Sequence, residues 1–262
     1  MRISLSEKWF SSSEEALEKA EDWEHKFLHR AQEELNSLTR LGRHCPFAFN
    51  SSSSYLIQGA SFVEPNDPSA IREAKARRAR LAEYTQVLQR LLPMEFEMLC
   101  AGILELLGVQ EPMLTPRSGD EGIDFFGRLR LDIHLAPNPA FRNVASQMSI
   151  WLIGQAKHYS RSRVATPDLR DLVGAIELAR SGTHVKSQPQ LGDSSLRLCD
   201  PVFYLFFTTG RISVDAWKLV EKSGIVGMDG DMIASFLADN EIGVENAEFD
   251  EGRFRTWILR HA

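Results

Sequence analysis

The first third of the chain carries apolar residues at helical spacing within a strongly charged sequence. Between residues 13 and 41 they recur every three or four positions, which predicts one long helix that Gly42 ends. Serines at 51–54 and the Pro-Asn-Asp-Pro sequence at 65–68 predict a weakly structured connection, followed by a second helix at about 69–92. The apolar positions of the first helix are Trp23, Phe27, Ala31, Leu35 and Leu38.

From Pro93 onwards the pattern alternates between helices and strands. Pro93 suits a first helical turn and Gly108 a helix stop, and the apolar run that begins at Val202 predicts a buried strand. The order of helix, three strands, helix and strand, with a strand-helix tail, predicts an α/β unit. The predicted elements are a helix at 93–107, strands at 109–115, 123–126 and 150–159, a helix at 166–181, a strand at 202–208, a helix at 213–223, a strand at 225–228 and a helix at 231–237.

The change of pattern near residue 90 predicts two regions. We expect residues 1–90 to form a helical arm or a small helical domain, and residues 91–262 to form the α/β domain. The chain of 262 residues, of which 43% are hydrophobic, is long enough to bury a substantial core.

The charge balance limits how this chain could hold a nucleic acid. Its net charge is −6, from 30 Lys and Arg residues against 36 Asp and Glu residues, so affinity for a polyanion must come from a local basic patch. Arg161 and Arg163, which follow the strand at 150–159, are candidates for such a patch. A second basic run is more typical of a solvated helix face; it consists of Arg72, Lys75, Arg77, Arg78, Arg80 and Arg90.

Cysteine usage and hydropathy bear on the compartment. The three cysteines lie far apart and form no CxxC pair, which favours a reducing, cytoplasmic environment over a disulfide framework or a zinc ribbon. No apolar run reaches 18 residues and the first residues lack an apolar signal segment, so we expect neither a membrane span nor a signal peptide.

Two short polar segments beside strand patterns carry the candidate chemistry. Gln155 and Lys157 are two apart on one predicted strand, so their side chains leave the same face, about 7 Å apart. Asp124 lies in its own predicted strand, on the face opposite Ile123 and Phe125. A carboxylate, an amide oxygen and a lysine can then converge on one hard cation and one water, as in a metal-dependent phosphodiesterase.

Each of these residues also has an ordinary structural explanation. An Asp that follows a Gly by two positions is commonly a turn or capping residue, and this applies to Asp124 as it does to Asp229 before Gly230. Glu97 lies on a predicted helix, where a solvated carboxylate is the default. A strand with Gln155 and Lys157 facing solvent is equally familiar, although these two share a face with Trp151 and Ile153.

In this order and on these elements, the motifs resemble the PD-(D/E)XK nuclease superfamily, and within it the Mrr-type restriction endonuclease domain. The resemblance covers roughly residues 93–238. It implies an α/β fold with a restriction-endonuclease-like αβββαβ core, in which helices flank a mixed central sheet. The N-terminal helical region precedes this core. It rests on Phe96-Glu97, Gly119-Asp120-Glu121-Gly122-Ile123-Asp124, Gln155-Ala156-Lys157, Thr208-Thr209 and Met228-Asp229-Gly230.

The resemblance implies a catalytic set of Glu97, Asp124, Gln155 and Lys157. Asp124 would be the central ligand of Mg²⁺, with Mn²⁺ as an alternative, and Gln155, the backbone carbonyl of Ala156 and Glu97 would complete the metal shell. Lys157 would orient the attacking water. Gln155 departs from the superfamily, which mostly has Asp or Glu there, and a neutral amide should bind Mg²⁺ more weakly than a carboxylate.

We therefore expect a Mg²⁺-dependent endonuclease that hydrolyses DNA phosphodiester bonds in restriction or anti-phage defence. The rival is a catalytically weak or inactive nucleic-acid-binding or assembly subunit of a defence complex, which the neutral Gln155 and the acidic net charge favour. The expected partners are DNA and either a second copy of the chain or another protein, bound through the N-terminal helices. Their apolar stripe at Trp23, Phe27 and Leu35 is one that a lone charged helix cannot bury.

Overall fold

The computed structural model describes residues 12–115, 122–131, 144, 147–159, 163–180 and 199–262. The chain divides into two compact units, Met1–Ala79 and Arg80–Ala262. None of the helices in the described ranges is both long enough and apolar enough to cross a membrane.

The first unit combines helices with a β-hairpin. Its elements are α1 (Ser13–Arg40), β1 (Phe47–Asn50), β2 (Ser53–Gly59) and α2 (Ser69–Arg78). The long helix matches the prediction, and Gly42 follows it with φ 64°. The hairpin is a correction, because the serines at 51–54, predicted as part of a weakly structured connection, form the turn at 51–52 and the start of the antiparallel strand β2.

A buried glutamate explains why the hairpin could not be read from local sequence. Glu64 accepts hydrogen bonds from the backbone N–H and hydroxyl of Ser51 in the turn, and from Gln58 Nε2 at 2.6 Å. These hydrogen bonds, with that from the Ser51 hydroxyl first, lower the pKa of Glu64. The turn is thus stabilised by a side chain 13 residues further along the chain. A local strand pattern cannot predict such a contact.

The predicted helix at 69–92 is wrong as a single element. The structure has α2 up to Arg78 and a separate helix, α3 (Leu81–Arg90), which belongs to the second unit. Three residues of α3 are buried in the core of that unit, namely Tyr84, Val87 and Leu88. The Tyr84 hydroxyl donates to the Ile242 carbonyl at 2.7 Å, and burial raises its pKa to about 12.

The second unit contains a mixed sheet between two helical layers, which confirms the predicted fold class. The elements after α3 are α4 (Pro93–Leu106), β3 (Met113–Leu114), β4 (Phe125–Arg130), β5 (Ser149–Lys157), β6 (Arg163–Val164), α5 (Thr166–Arg180), β7 (Val202–Thr208), β8 (Arg211–Ile212), α6 (Val214–Ser223), β9 (Val226–Met228), α7 (Gly230–Asp239), β10 (Val244–Glu245), β11 (Glu248–Phe249) and α8 (Glu251–Leu259). The five strands of the sheet lie in the order β3-β4-β5-β7-β9, with antiparallel pairing up to β5 and parallel pairing beyond it.

Alternation along the central strands separates the two cores. Leu205 and Phe207 of β7 point into a core shared with α3, α4, α7 and α8, whereas Phe206 between them points into a core shared with α5 and α6. Several predicted bounds shift: the strand at 109–115 is reduced to β3, and β4 begins at Phe125, so Asp124 lies just before the strand rather than within it.

The C-terminal helix α8, which the sequence pattern did not predict, packs on α4. Arg255 Nη1 donates to Glu95 Oε1 at 2.8 Å near the start of α4, and His261 Nε2 lies 2.6 Å from Glu105 Oε2 near its end. Between them the Trp257 ring lies so close to Gly102 that an added Cβ would meet it at 2.5 Å. α8 therefore supports α4 along its length, and α4 carries Glu97.

Candidate active site

Asp124 is held by backbone hydrogen bonds on both sides. Its N–H donates to the Gly154 carbonyl of β5 at 2.9 Å, and its own carbonyl accepts from Thr115 N–H at 3.0 Å. The paired register of β4 and β5 ends next to it, at Phe125 and Gly154. Asp124 thus sits where the two strands stop pairing.

The Asp124 side chain replaces the backbone ladder at that point. Its Oδ2 accepts a hydrogen bond from the Ala156 N–H at 2.7 Å, the group that a continuing strand would have engaged. Because the N–H and C=O of one strand residue face the same neighbouring strand, the Ala156 carbonyl also faces the Asp124 side. The carboxylate and this carbonyl therefore border the same opening between β4 and β5.

The electrostatics of Asp124 are those of a charge taken partly out of water. Burial raises the pKa of Asp124 above its ordinary value of 3.8, while the Ala156 hydrogen bond and the charge of Lys157 act in the opposite direction. Lys157 is therefore near enough to interact with Asp124. A desolvated carboxylate with a specific charged neighbour is a feature that functional sites share.

Gln155 lies next to the segment that carries Asp124, and its side-chain oxygen has no hydrogen-bond donor among the described residues. Its side chain is on the face of Trp151 and Ile153, as predicted, and is 9% exposed. Within the described part of the chain, its buried Oε1 accepts no hydrogen bond. Gly122, with φ 69°, packs against it, since a Cβ there would lie 3.2 Å from Gln155 Nε2. A buried acceptor without a donor is costly unless a ligand satisfies it.

Glu97 reaches the same region from α4. Glu97 and Asp124 are both close enough to Cys100 for their negative charges to add to burial, the main cause, in raising the pKa of that thiol. Cys100 is fully buried one turn after Glu97 on α4. Sequence reasoning did not place Cys100 beside the candidate site, because its position there depends on how α4 packs beside the sheet.

On the side of β5 away from β4, Lys157 pairs with the strand β7. Lys157 is the register partner of Thr208, and the Thr209 N–H donates to the Lys157 carbonyl at 3.3 Å. The Thr209 hydroxyl accepts from Tyr159 N–H at 2.9 Å, which fixes the chain after β5. Asp229, expected to shape a turn, is fully buried and caps α7 by accepting from Met232 N–H at 3.1 Å.

The basic residues that follow Lys157 at the end of β5 do not all lie near the candidate site. His158 faces away from Lys157, with its Nε2 3.3 Å from the Leu88 carbonyl and its ring against Phe96. The backbone of Arg163 lies in β6. Arg161 and the Gly119-Asp120-Glu121 part of the predicted motif lie outside the described residues.

One close contact sets the register on which this arrangement depends. The Phe125 ring lies across Gly154, so that a Cβ there would overlap it, the third-nearest ring carbon being only 2.7 Å away. Phe125 is fully buried and stacks on Phe207 with ring centroids 5.3 Å apart. Gly154 therefore allows the strand that carries Gln155 to approach the segment that carries Asp124.

The ligand atoms available at this site suit a hard cation. Among the described residues, no cluster of three or more His, Cys, Asp or Glu side chains could hold a metal ion. The candidates are oxygens: two carboxylates, the Gln155 amide and the Ala156 carbonyl. Such a set fits Mg²⁺ or Mn²⁺, which retain several waters, better than Zn²⁺. The unsatisfied Gln155 Oε1 is the observation that supports this fit.

Comparison with known proteins identifies the domain that contains these residues. Residues 88–187 match the Mrr_cat family model, described as a restriction endonuclease, and the matched range includes Glu97, Asp124, Gln155, Ala156 and Lys157. This part of the chain is a restriction-endonuclease domain of the Mrr type. The resemblance stated from the sequence is thereby confirmed.

Two solved structures are similar to the chain. One is "MspJI Restriction Endonuclease in Complex with 27-mer Oligonucleotide", with TM-score 0.42, 18% identity, and coverage of 77% of this chain and 39% of that chain. The other is "DNA modification-dependent restriction endonuclease AspBHI", with TM-score 0.42, 19% identity, and coverage of 76% and 44%. The chain thus spans less than half the length of either protein. No curated protein matches it in sequence.

Proposed function

We propose that this chain is a divalent-metal-dependent endonuclease that hydrolyses DNA phosphodiester bonds in restriction or anti-phage defence. The observation that carries the proposal is the Asp124 carboxylate, desolvated and held at 2.7 Å by the Ala156 N–H within the Gln155-Ala156-Lys157 segment. The family description supports DNA cleavage. The buried, free Cys45 and Cys100 suit a reducing cytoplasm.

Each residue has a defined task in this proposal. Asp124, Gln155, the Ala156 carbonyl and Glu97 would hold Mg²⁺, or Mn²⁺ in its place. The cation would supply Lewis-acid chemistry at the phosphate and help to activate the attacking water. Lys157 donates hydrogen bonds to the attacking water or to a phosphate oxygen and stabilises the negative charge that develops there.

The direct test is cleavage of a supercoiled plasmid with and without Mg²⁺. The protein should nick or linearise the plasmid only when Mg²⁺ is present, and Lys157→Ala should lower the rate by about 100-fold or more. Lys218→Ala is the matched control, because Lys218 is exposed and pairs with Asp215 on α6. Equal rates for the two variants would contradict the role of Lys157, and cleavage in excess chelator would contradict the metal.

A second candidate is a nucleic-acid-binding or assembly subunit with weak chemistry. The observation that favours it is the neutral Gln155, which leaves Asp124 and Glu97 as the only carboxylates proposed for the cation. Substitution of this one position separates the two functions.

Gln155→Glu should strengthen the metal site. A carboxylate adds one negative charge beside the cation, so the Mg²⁺ concentration for half-maximal cleavage should fall by about 10-fold. Gln155→Met, which keeps the length and loses the oxygen, should raise that concentration. Metal titrations of plasmid cleavage give both values. If only Gln155→Glu cleaves, the natural chain is the weak subunit.

The N-terminal unit is proposed as the site of self-association or of a partner protein. Large apolar side chains are exposed on it, including Trp23 (69%) and Phe27 (63%) on α1 and Tyr55 and Leu56 on β2. Trp23 and Phe27 lie one turn apart on the same face of α1, and adjacent exposed apolar side chains of this size are typical of an interaction surface.

Two truncations should separate folding from association. A chain that starts at Arg80 should fold, because it retains α3. It should lose association, because it lacks the exposed apolar side chains of α1 and β2. A chain that starts at Leu91 should lose about 5 kcal/mol of stability with Tyr84, Val87 and Leu88. Sedimentation and thermal unfolding measure the two effects. If sedimentation gives the same oligomeric state for the full chain and for the chain from Arg80, the result would count against this role of the unit.

A further inference from the structure

Thr115 follows directly after β3 and lies beside Asp124. Its N–H donates to the Asp124 carbonyl at 3.0 Å, which continues the register in which Leu114 pairs with Phe125. The Asp124 N–H donates in turn to the Gly154 carbonyl at 2.9 Å, so backbone hydrogen bonds join β3 to β5 through Asp124. The end of β3 thus places a threonine next to the proposed central metal ligand.

The Thr115 side chain lies on the same face of the sheet as that of Gln155. Leu114 packs against the core that contains α4, whereas Met113 packs against the apolar cluster of Ile153 on the other face. Thr115 follows Met113 by two positions and Gln155 follows Ile153 by two, so alternation places both on this second face. Because β3 and β5 are each antiparallel to β4, they run in the same direction, and the two residues lie at the same end of the sheet.

Both side chains carry a buried oxygen that is unsatisfied. Of the buried side-chain oxygens in the described ranges, only Thr115 Oγ1 and Gln155 Oε1 have no hydrogen-bond partner. A buried polar atom without a partner costs free energy unless a ligand or an ordered water satisfies it. Two such oxygens on one face, at one end of the sheet and on either side of Asp124, indicate one ligand that satisfies both.

The two oxygens suit different parts of a hydrated cation. An amide oxygen only accepts, and the long side chain of Gln155 can bring it to the cation itself. The threonine side chain is short, and β3 and β5 lie on either side of β4, about 10 Å apart. Mg²⁺ and Mn²⁺ keep several waters when a protein binds them, so the Thr115 hydroxyl can accept from one of these waters.

We propose that Thr115 is a positioning residue of the metal site, whose hydroxyl accepts a hydrogen bond from a water of the cation that Gln155 coordinates. The identity of the ligand rests on the proposed function. Asp124 Oδ2 already accepts from the Ala156 N–H, so the cation is held from the strands on both sides of Asp124. Short motifs could not identify Thr115, because only the pairing of β3 with β4 brings it beside Asp124.

Two substitutions of Thr115 should change stability and metal binding in opposite directions. Thr115→Val keeps the shape and removes the unsatisfied hydroxyl, so the metal-free protein should unfold about 2–4 °C higher. The same change removes an acceptor for a metal-bound water, so Mn²⁺ should bind about 10-fold more weakly. Thr115→Ser keeps the hydroxyl and loses a methyl group, so it should unfold at a lower temperature and retain Mn²⁺ binding.

Mn²⁺ binding is measured on the full chain without DNA, by electron paramagnetic resonance of the free ion. Thermal unfolding of the metal-free protein gives the stability of each variant. The matched control is Thr256→Val on α8, because Thr256 is exposed and its hydroxyl donates to the Gly252 carbonyl at 2.8 Å. This control should bind Mn²⁺ as the natural chain does.

The outcomes distinguish the role of Thr115 from the proposed function. If the natural chain cleaves plasmid with Mg²⁺ but Thr115→Val binds Mn²⁺ as Thr256→Val does, the role of Thr115 is wrong and the nuclease stands. A hydroxyl that holds only a buried water would give this result. If Thr115→Val weakens Mn²⁺ binding, Thr115→Ser retains it and no cleavage occurs, the role stands and the nuclease is wrong. A valine variant that loses both stability and Mn²⁺ binding would overturn the role, because Thr115 would then serve the packing of the strand.

Discussion

Asp124→Asn should abolish cleavage and at the same time make the metal-free protein more stable. The amide oxygen of asparagine can still accept the Ala156 hydrogen bond, so the local structure should persist. It brings no charge to a cation, however, and we expect the rate to fall by about 1,000-fold or more. The gain in stability has a different cause, which is the burial of the carboxylate.

The sign of that gain follows from the raised pKa. An acid whose pKa is higher in the folded state than in the unfolded state binds its proton more readily when folded, so its ionisation costs stability. The cost is complete above the folded pKa of Asp124 and vanishes as the pH falls below the unfolded value. Asp124→Asn should therefore unfold a few degrees higher at pH 7 and show no difference near pH 3.

Thermal unfolding with and without Mg²⁺ measures both consequences. Mg²⁺ should raise the unfolding temperature of the natural chain and leave that of Asp124→Asn unchanged, because a ligand stabilises only the state that binds it. Asp215→Asn is the control, since that carboxylate is 79% exposed. A variant that is less stable than the natural chain, or that still responds to Mg²⁺, would refute the assignment of Asp124.

Gly154→Ala should destabilise the second unit by about 3 kcal/mol, the upper range for overpacking a core. The new methyl group would overlap the Phe125 ring, which is fully buried and has no room to turn because it stacks on Phe207. Denaturant unfolding measures the loss. Phe125→Leu in the same chain should recover part of it by vacating the space that the ring occupied.

Gly174→Ala provides a control of opposite sign. Gly174 lies inside α5, where a Cβ would meet nothing within 4 Å, and alanine favours a helix interior by about 1 kcal/mol. If Gly154→Ala and Gly174→Ala change stability alike, the contact between Gly154 and Phe125 does not set the register of β4 and β5.

Elements with strong local signals were predicted well from the sequence. The strand Val202–Thr208 agrees at both ends, because an uninterrupted apolar run admits little else. The helix Val214–Ser223 begins after a Ser213 cap and ends at Gly224 with φ 71°, as its cap residues indicated. The catalytic roles of Glu97, Asp124, Gln155 and Lys157 stay a prediction, which rests on a resemblance carried by short motifs.

Features made by distant contacts could not be predicted. Tyr84 assigns α3 to the second unit through a hydrogen bond to Ile242, 158 residues later. The pairing of Asp124 with the Ala156 N–H appears only where the strand ladder ends. Arg211 becomes a neighbour of Arg163 only after the whole parallel sheet has formed.

The packing of α8 on α4 has a consequence for the timing of synthesis. The two side-chain hydrogen bonds that join them connect residues 160 and 156 positions apart. At a translation rate of about 5–20 residues per second, the chain is extended for roughly 10–30 s between the emergence of Glu95 and that of Arg255. During this interval α4, with Glu97, has left the ribosome without the helix that supports it, and this is the stage at which a chaperone has most to protect.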